Sequence, residues 1–447
     1  MDVVTLPLPH LGNLCHLLHD GRRAVVVDPP RDPVGVERAA EVAGVEIGAV
    51  ADTHVHNDHV SGAPLLARRH GVDYLVAAVE RVAVDHVGVR GGDVVEVGDL
   101  RVEVLETPGH TERHQAFLVG DGVGPAALLS GGSLLHGTVG RTDLGDPRRT
   151  VELARAQWTS ARRLAELPRT TALLPTHGFG SLCAGSAVAT NGRAATLGEE
   201  LVANPALTLG LDDFVSMLLS GHGPVPTHFR HLGALNRAGA GDSPGRPAVP
   251  VTTEGVTDAI LAGHWVVDVR RRAAFAEGHV AGSVNVEHGD RFATYVGWLV
   301  PWRADIVLLA DDPARLDQAV SDLASIGIDG VGTHLLASGT LLPARVRRVP
   351  WEAMRRLERR PVLLDVRQRD EFDSGAVADA LHVPLHELED RLPTLPPGEL
   401  WVYCRSGYRA GIAASLLHRA GHAVVHVDDD LARVSELALP VRGSLAA

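Results

Sequence analysis

The segment THVHNDHVSGA places His54, His56, Asp58 and His59 within six residues in the order HxHxDH. Three imidazoles and a carboxylate crowded together repel and desolvate one another unless a cation lies among them, and borderline ions such as Zn²⁺ and Fe²⁺ take those ligand types readily. Two more histidines follow turns after apolar runs, His110 in ETPGHTERHQ and His177 in LLPTHG. Each alone reads as an ordinary polar residue; beside HxHxDH they can close a metal site. A different chemistry is written in ELWVYCRSGYRAGIAASLLHRAG, where Cys404, Arg405, Ser406, Gly407, Tyr408 and Arg409 make a CxxGxR loop. Backbone N–H groups converging at a helix start, with the Arg409 guanidinium, favour an anion and keep a thiol nucleophilic. Gly407 permits the sharp turn this requires. The plainer reading of Cys404 is a small buried hydrophobe at a strand end.

These residues need elements to position them. Between residue 1 and about residue 236, short β-rich runs (AVVVDPP, VVEVGDLRVEVLETPG, AALLSGG) alternate with helical patterns such as VELARAQWTSARRLAEL, which predicts an α/β domain. HxHxDH follows the strand-like VEIGAVADT, so its side chains sit on the loop leaving that strand. The stretch 237–255, RAGAGDSPGRPAVPVTTEG within it, is rich in Gly, Pro and small polar residues and reads as a linker. Beyond it the chain repeats: VVDVRRRAAFAEGHVAGSVNV around Asp268 aligns without gaps on LLDVRQRDEFDSGAVADALHV around Asp365, at a constant offset of 97 residues. Two α/β units are expected, over 256–340 and 350–440, separated near SGTLLPARVRRVP.

Composition narrows the function classes. The 447 residues suit about three domains of ~150 residues each. Aromatic residues are only 4% and the formal charge is −13, which argues against stacking on single strands or following a phosphate backbone, so no nucleic-acid partner is expected. Cys15, Cys183 and Cys404 are too dispersed for a disulfide framework or a CxxC knuckle and predict a reducing, cytoplasmic setting. The first residues, MDVVTLPLPHLGNLCH, do not read as a secretory signal, and no apolar run of about 18 residues predicts a membrane span.

The order and spacing of HxHxDH, His110 and His177 resemble the metallo-β-lactamase superfamily. The resemblance implies an αβ/βα sandwich, with the counterparts of His54, His56 and His110 forming one metal site and those of Asp58, His59 and His177 a second. GRTDL, HGFGSLCAG and NPAL…DDFVSMLLSGHGPVPTHFRHLGALNR are similar to persulfide dioxygenases fused to rhodanese domains. That likeness implies one Fe²⁺ held by His54, His110 and an Asp, a two-His, one-carboxylate set suited to non-haem iron. His56, Asp58, His59 and His177 would then orient the ligands and hold water. It also implies oxidation of a low-molecular-weight persulfide, such as that of glutathione, by O₂ to sulfite and free thiol. With Zn²⁺ instead, the same residues suit hydrolysis, as in glyoxalase-II-like thioesterases. Gly132, in SGGSLL, stands where the Asp is expected. Asp143 or Asp58 could fill in, water or substrate thiolate could complete the shell, or the domain is a sulfur-binding scaffold without oxygenase chemistry.

The CxxGxR loop, with DVRQRDEF and GAVADALHVPL, resembles the rhodaneses, which carry sulfane sulfur on cysteine and exchange it with thiols, thiosulfate or sulfite. Ala376 replaces the His of their GHxPGA segment, whereas the first copy keeps His279. That copy reads DIVLLADDPARLDQAV at the corresponding loop, with Asp311 and Asp312 and no cysteine, so it is expected to be a non-catalytic spacer or docking unit. The expected whole is therefore an α/β multidomain chain: an αβ/βα metallo-β-lactamase sandwich followed by two rhodanese-type α/β domains. Cys183 could bind or relay sulfur, or simply pack; Cys15 reads as core. Relatives of this kind associate as dimers or tetramers, so a homo-oligomer is expected from the resemblance.

Overall fold

In the computed structural model, residues 1–178, 180–184, 195–337 and 342–444 are described. Parts of the HGFGSLCAG segment and of the expected boundary at SGTLLPARVRRVP lie outside them. The chain divides into two compact units, Met1–Arg246 with Ser321–Asp329, and Pro247–Val320 with Gly330–Ala447.

The first unit holds two sheets. One runs in sequence order through β1 (Asp2–Leu8), β2 (Asn13–His19), β3 (Arg23–Val27), β4 (Glu46–Ala51), β5 (Asp73–Ala77) and β6 (Val87–Val89). The other has the order β11-β10-β9-β8-β7, from β7 (Val94–Val97), β8 (Leu100–Glu106), β9 (Gln115–Gly120), β10 (Ala127–Gly131) and β11 (Ala172–Pro175). Side chains alternate along these strands and so serve two cores. Leu18, Val25, Val27, Ala51 and Leu75 meet Val102, Val104, Phe117 and Leu129 between the sheets. Their neighbours Cys15, Leu17, Ala24 and Val26 face outward onto Val36, Ala40, Ala63 and Leu66, which lie on or beside the helices Val34–Ala43 and Ala63–His70. On the opposite side, Ala116 and Leu128 receive Ala154 and Ala161 of the helix Thr150–Leu164. The layers are therefore helix, sheet, sheet, helix, the sandwich expected from the sequence. Each predicted histidine follows the carboxyl end of a strand: the HxHxDH loop follows β4, His110 follows β8, and His177 follows β11.

The second unit carries two parallel sheets of matching order. The first is β12-β16-β15-β13-β14, from β12 (Val249–Pro250), β13 (Trp265–Asp268), β14 (Val284–Asn285), β15 (Ile306–Ala310) and β16 (Gly332–Leu335). The second is β17-β22-β21-β18-β20, from β17 (Arg347–Val349), β18 (Val362–Asp365), β20 (Leu381–His382), β21 (Leu400–Tyr403) and β22 (Val424–Val427). A short ribbon of β19 (Gly375–Val377) and β23 (Val441–Gly443) belongs to the second copy. β12 lies inside the stretch read as linker, where Val249 and Pro250 pair with Gly332 and Thr333. No helix among the described residues is long and apolar enough to cross a membrane.

Candidate metal centre and thiol loop

Asp28, in the turn after β3, organises the first site. Its backbone takes φ +52°, rare for a residue other than glycine, and its carboxylate is wholly buried. It accepts from Thr53 N–H at 2.8 Å, from the Thr53 hydroxyl at 2.8 Å, from the Thr176 hydroxyl, and from His56 Nε2–H at 3.1 Å. Burial alone would raise this carboxyl, but the contact with His56 and the donors around it hold it far below the usual carboxylate range. His56 answers in kind: burial would lower it, and Asp28 with Asp52 pushes it well above an ordinary imidazole.

The remaining imidazoles have their tautomers set by their partners. The Thr53 hydroxyl is spent on Asp28, so His54 Nδ1–H donates to its oxygen at 2.9 Å, leaving Nε2 as an acceptor. His110 Nδ1–H donates to Arg141 O at 2.7 Å, and His177 Nδ1–H to Asn13 Oδ1 at 3.0 Å. Asn13 in turn donates to Asp58 Oδ2 at 2.7 Å, while His59 Nδ1 lies 3.1 Å from Asp58 Oδ1. Burial, reinforced by neighbouring imidazoles, pushes His54 well below its ordinary value; burial likewise takes His110 down to about 4 and His177 to about 3, so all three are neutral near pH 7. Burial would raise Asp58, but His59 and His177 hold it well below the carboxylate range.

What these bonds leave over is the informative part. His56 Nδ1, His59 Nε2, His110 Nε2 and His177 Nε2 are buried and have no hydrogen-bond partner. Each such orphan costs about 1–3 kcal/mol, and all four belong to side chains whose other nitrogen is held. Ligand atoms lie within 4.8 Å of one another in the sets His54–His110–His177, His56–Asp58–His59, Asp58–His177–Cys183 and Asp28–Asp52–His56. The neutral imidazoles of His54, His110 and His177, presenting lone pairs near the ionised Asp58, fit a divalent cation.

Gly132 is a finding in its own right. A Cβ built there would lie 2.2 Å from Cδ2 and 2.6 Å from Cγ of His110, so the ring occupies the space a side chain would need. Asp143 does not replace the carboxylate: Arg141 holds it through two contacts of 2.7 Å, and it joins none of the four sets. Sequence reasoning missed His114, whose Nδ1–H donates to Thr107 Oγ1 at 2.8 Å and whose Nε2 accepts Gly132 N–H at 2.9 Å, fixing the turn beside His110. It also missed Asn13 and Asp28, for which the one available signal was an Asp directly after a buried strand.

The second site lies at the end of β21, a strand paired on both sides. Cys404 is 2% exposed there, Arg405 and Ser406 are exposed, and Tyr408 begins the helix Tyr408–Arg419. Gly407 takes φ +86°, and a Cβ on it would meet Asp428 Oδ1 at 2.0 Å, so the turn needs glycine twice over. The loop is braced by Leu431 N–H donating to Arg405 O at 2.8 Å and by His426 Nε2–H donating to Gly407 O at 2.8 Å. Arg409 departs from the sequence reading: its guanidinium pairs with both oxygens of Glu371 at 2.5 and 2.8 Å, so much of its charge is spent on a partner the sequence reading did not single out. Tyr408 donates its hydroxyl to Glu287 O at 2.9 Å.

Residues 350–436 match the family model of a rhodanese-like domain. A hydroxyacylglutathione hydrolase of Cereibacter sphaeroides is 31% identical over 242 residues, 53% of this chain and 86% of that protein. One from Cupriavidus taiwanensis is 32% identical over 183 residues, 39% of this chain, and the chain spans 66% of that relative's length. Among solved structures, a metallo-β-lactamase from Staphylococcus aureus subsp. aureus COL has a TM-score of 0.66 at 26% identity, covering 75% of this chain and 98% of that one.

Proposed function

Since this chain belongs to the metallo-β-lactamase-fold family that includes the hydroxyacylglutathione hydrolases, and carries a C-terminal rhodanese domain, we propose that it is a metal-dependent enzyme of sulfur metabolism that joins oxidation of a low-molecular-weight persulfide to sulfane-sulfur transfer. The observation that carries the reading is the convergence of buried, partnerless imidazole nitrogens in a chain that also places a cysteine at a strand-to-helix loop. A divalent ion, iron in this reading, would supply charge stabilisation and a meeting point for the two reactants. His54 and His110 would hold it within the cluster that also contains His56, Asp58, His59 and His177, with Thr53 and Asn13 fixing the tautomers of His54 and His177. The persulfide, O₂ and water give the free thiol, sulfite and two protons.

In the other domain the Cys404 sulfur attacks the outer sulfur of a donor such as thiosulfate, the S–S bond breaks, and sulfite leaves. Loop amides then hold the cysteinyl persulfide anion until an acceptor thiol takes its outer sulfur. The 256–340 copy holds no cysteine and serves as a non-catalytic partner to that domain. The wide spacing and odd number of the three cysteines are the ground for placing the chain in a reducing compartment.

A second reading is hydrolysis of glutathione thioesters with zinc, favoured by what the relatives are called. Oxygen uptake with glutathione persulfide and hydrolysis of a glutathione thioester, each on wild type and His54→Ala, separate the two. We expect O₂ consumption that His54→Ala abolishes. Thioester turnover with no O₂ uptake would replace the first reading by the second, and silence in both assays would remove catalysis from this domain.

A further inference from the structure

Cys183 takes no part in the chemistry above, yet its surroundings are not those of a packing residue. Cys15 lies in an apolar cluster between β2 and its helices, whereas Cys183, 1% exposed, lies beside polar groups of the candidate metal centre. Its sulfur, a carboxylate oxygen of Asp58 and an imidazole nitrogen of His177 lie within 4.8 Å of one another. His177 Nε2 is buried and has no partner. The segment carrying the thiol is tied to the centre, since Cys183 O accepts Arg141 N–H at 2.8 Å and Arg141 O accepts His110 Nδ1–H at 2.7 Å. Cys183 N–H donates to Ser181 Oγ at 3.2 Å, and Ser181 Oγ lies 3.4 Å from His177 Nδ1.

We propose that Cys183 is a metal ligand, completing with Asp58 and His177 a carboxylate–imidazole–thiolate set that supplies the anion Gly132 cannot. This rests on the reading that the first domain holds a divalent cation. A tetrahedral ion with bonds of about 2.0–2.3 Å keeps its ligands roughly 3.5 Å apart, so closing the present set takes at most a contraction of little more than an ångström. On binding, the thiol proton leaves to solvent and the sulfur electron pair goes to the ion. The set selects thiophilic ions, zinc or ferrous iron, and rejects magnesium and calcium. A thiolate explains how the chain dispenses with a side chain at residue 132, where the His110 ring stands instead.

The test loads the full chain with Co²⁺, whose spectrum reports sulfur ligation directly. Wild type and Cys404→Ser should both show an intense near-ultraviolet thiolate-to-cobalt band beside the weak visible bands. Cys183→Ser should lose that band, and its cobalt affinity should fall by at least the roughly 10–100-fold that loss of an outer-shell partner costs. Wild type and Cys404→Ser carry the decision even if Cys183→Ser folds poorly. Bound cobalt without the band, or a band that survives in a folded Cys183→Ser, overturns the thiolate ligand and leaves the metal reading standing. Failure of wild type to bind cobalt at all overturns both.

Discussion

The two copies of the repeat share a framework and part company at the connection where the thiol lies in one of them. In each, a buried Asp at the end of a central strand pairs with the Arg two residues on: Asp268 with Arg270 at 2.6 Å, and Asp365 with Arg367 at 2.7 Å. Each Arg also donates to a carbonyl eight residues ahead, Gly278 O at 2.9 Å and Gly375 O at 2.6 Å. The connections leaving the equivalent strands β15 and β21 diverge. β15 passes through exposed Asp311 and Asp312 into the helix Pro313–Ser325, and Asp311 turns back to Arg315 at 2.6 Å. β21 passes through Cys404, Arg405, Ser406 and Gly407 into the helix Tyr408–Arg419, a turn in which Gly407 takes a left-handed backbone. The clamp is common to both copies and the cysteine turn is not, so under the proposed function the chemistry can be lost without the fold.

The sharpest way to break this comparison is to remove the one thiol it rests on. Cys404→Ser should lower thiosulfate-to-cyanide sulfur transfer by about 10³-fold or more, while circular dichroism and the melting curve stay close to wild type. Transfer persisting in Cys404→Ser would place the nucleophile elsewhere and dissolve the distinction between the copies. Next in size are the clamps. Arg270→Ala and Arg367→Ala each strand a buried carboxylate, and each should cost about 3–5 kcal/mol of stability in denaturant titrations. Similar losses in both would establish a shared framework; a loss confined to Arg367→Ala would mean that the first copy is held by something else.

Gly407→Ala tests the turn alone. A left-handed φ costs a side chain about 1–2 kcal/mol, and the added methyl would collide with Asp428, which Arg272 at 2.8 Å and Arg348 at 2.7 Å hold in place. We expect stability to fall by that amount and sulfur transfer by more than tenfold, measured on the same preparation. Retained transfer would show that the amides need not converge.

What could be read from sequence was whatever lies close along the chain. HxHxDH, the CxxGxR turn and the repeated Asp-Val-Arg each sit within a few residues, so spacing alone announced them. The sandwich was implied by the family resemblance that the order and spacing of the histidine motifs carry; the alternation of strand and helix patterns alone gave no more than an α/β domain. What stayed hidden depends on groups far apart in sequence: Asp28 beneath His56 and Thr176, Asn13 between Asp58 and His177, Glu371 against Arg409. Nothing local to Gly132 could show that the His110 ring fills the place of a side chain.

The smallest effect concerns acid. His279 in the first copy and His426 in the second are buried imidazoles that fold neutral, and burial is the leading cause in both. His279 donates through Nδ1 to Phe275 O, stacks on the Phe275 ring and accepts through Nε2 from His418; its value falls to about 4. His426 donates to Gly407 O with Asp428 4.0 Å away, which offsets burial only partly, and also falls to about 4. An unfolded imidazole titrates near ~6.5, so between about 6.5 and 4 the unfolded chain binds more protons than the folded one. The stability these residues contribute is present above that window and lost as pH falls through it, at up to about 1.4 kcal/mol per pH unit for each. Replacing either one by Gln should flatten the acid limb of a pH–stability curve by a similar amount. If only His426→Gln flattens it, His279 is open to solvent in the first copy, and the two copies differ in packing as well as in their turns.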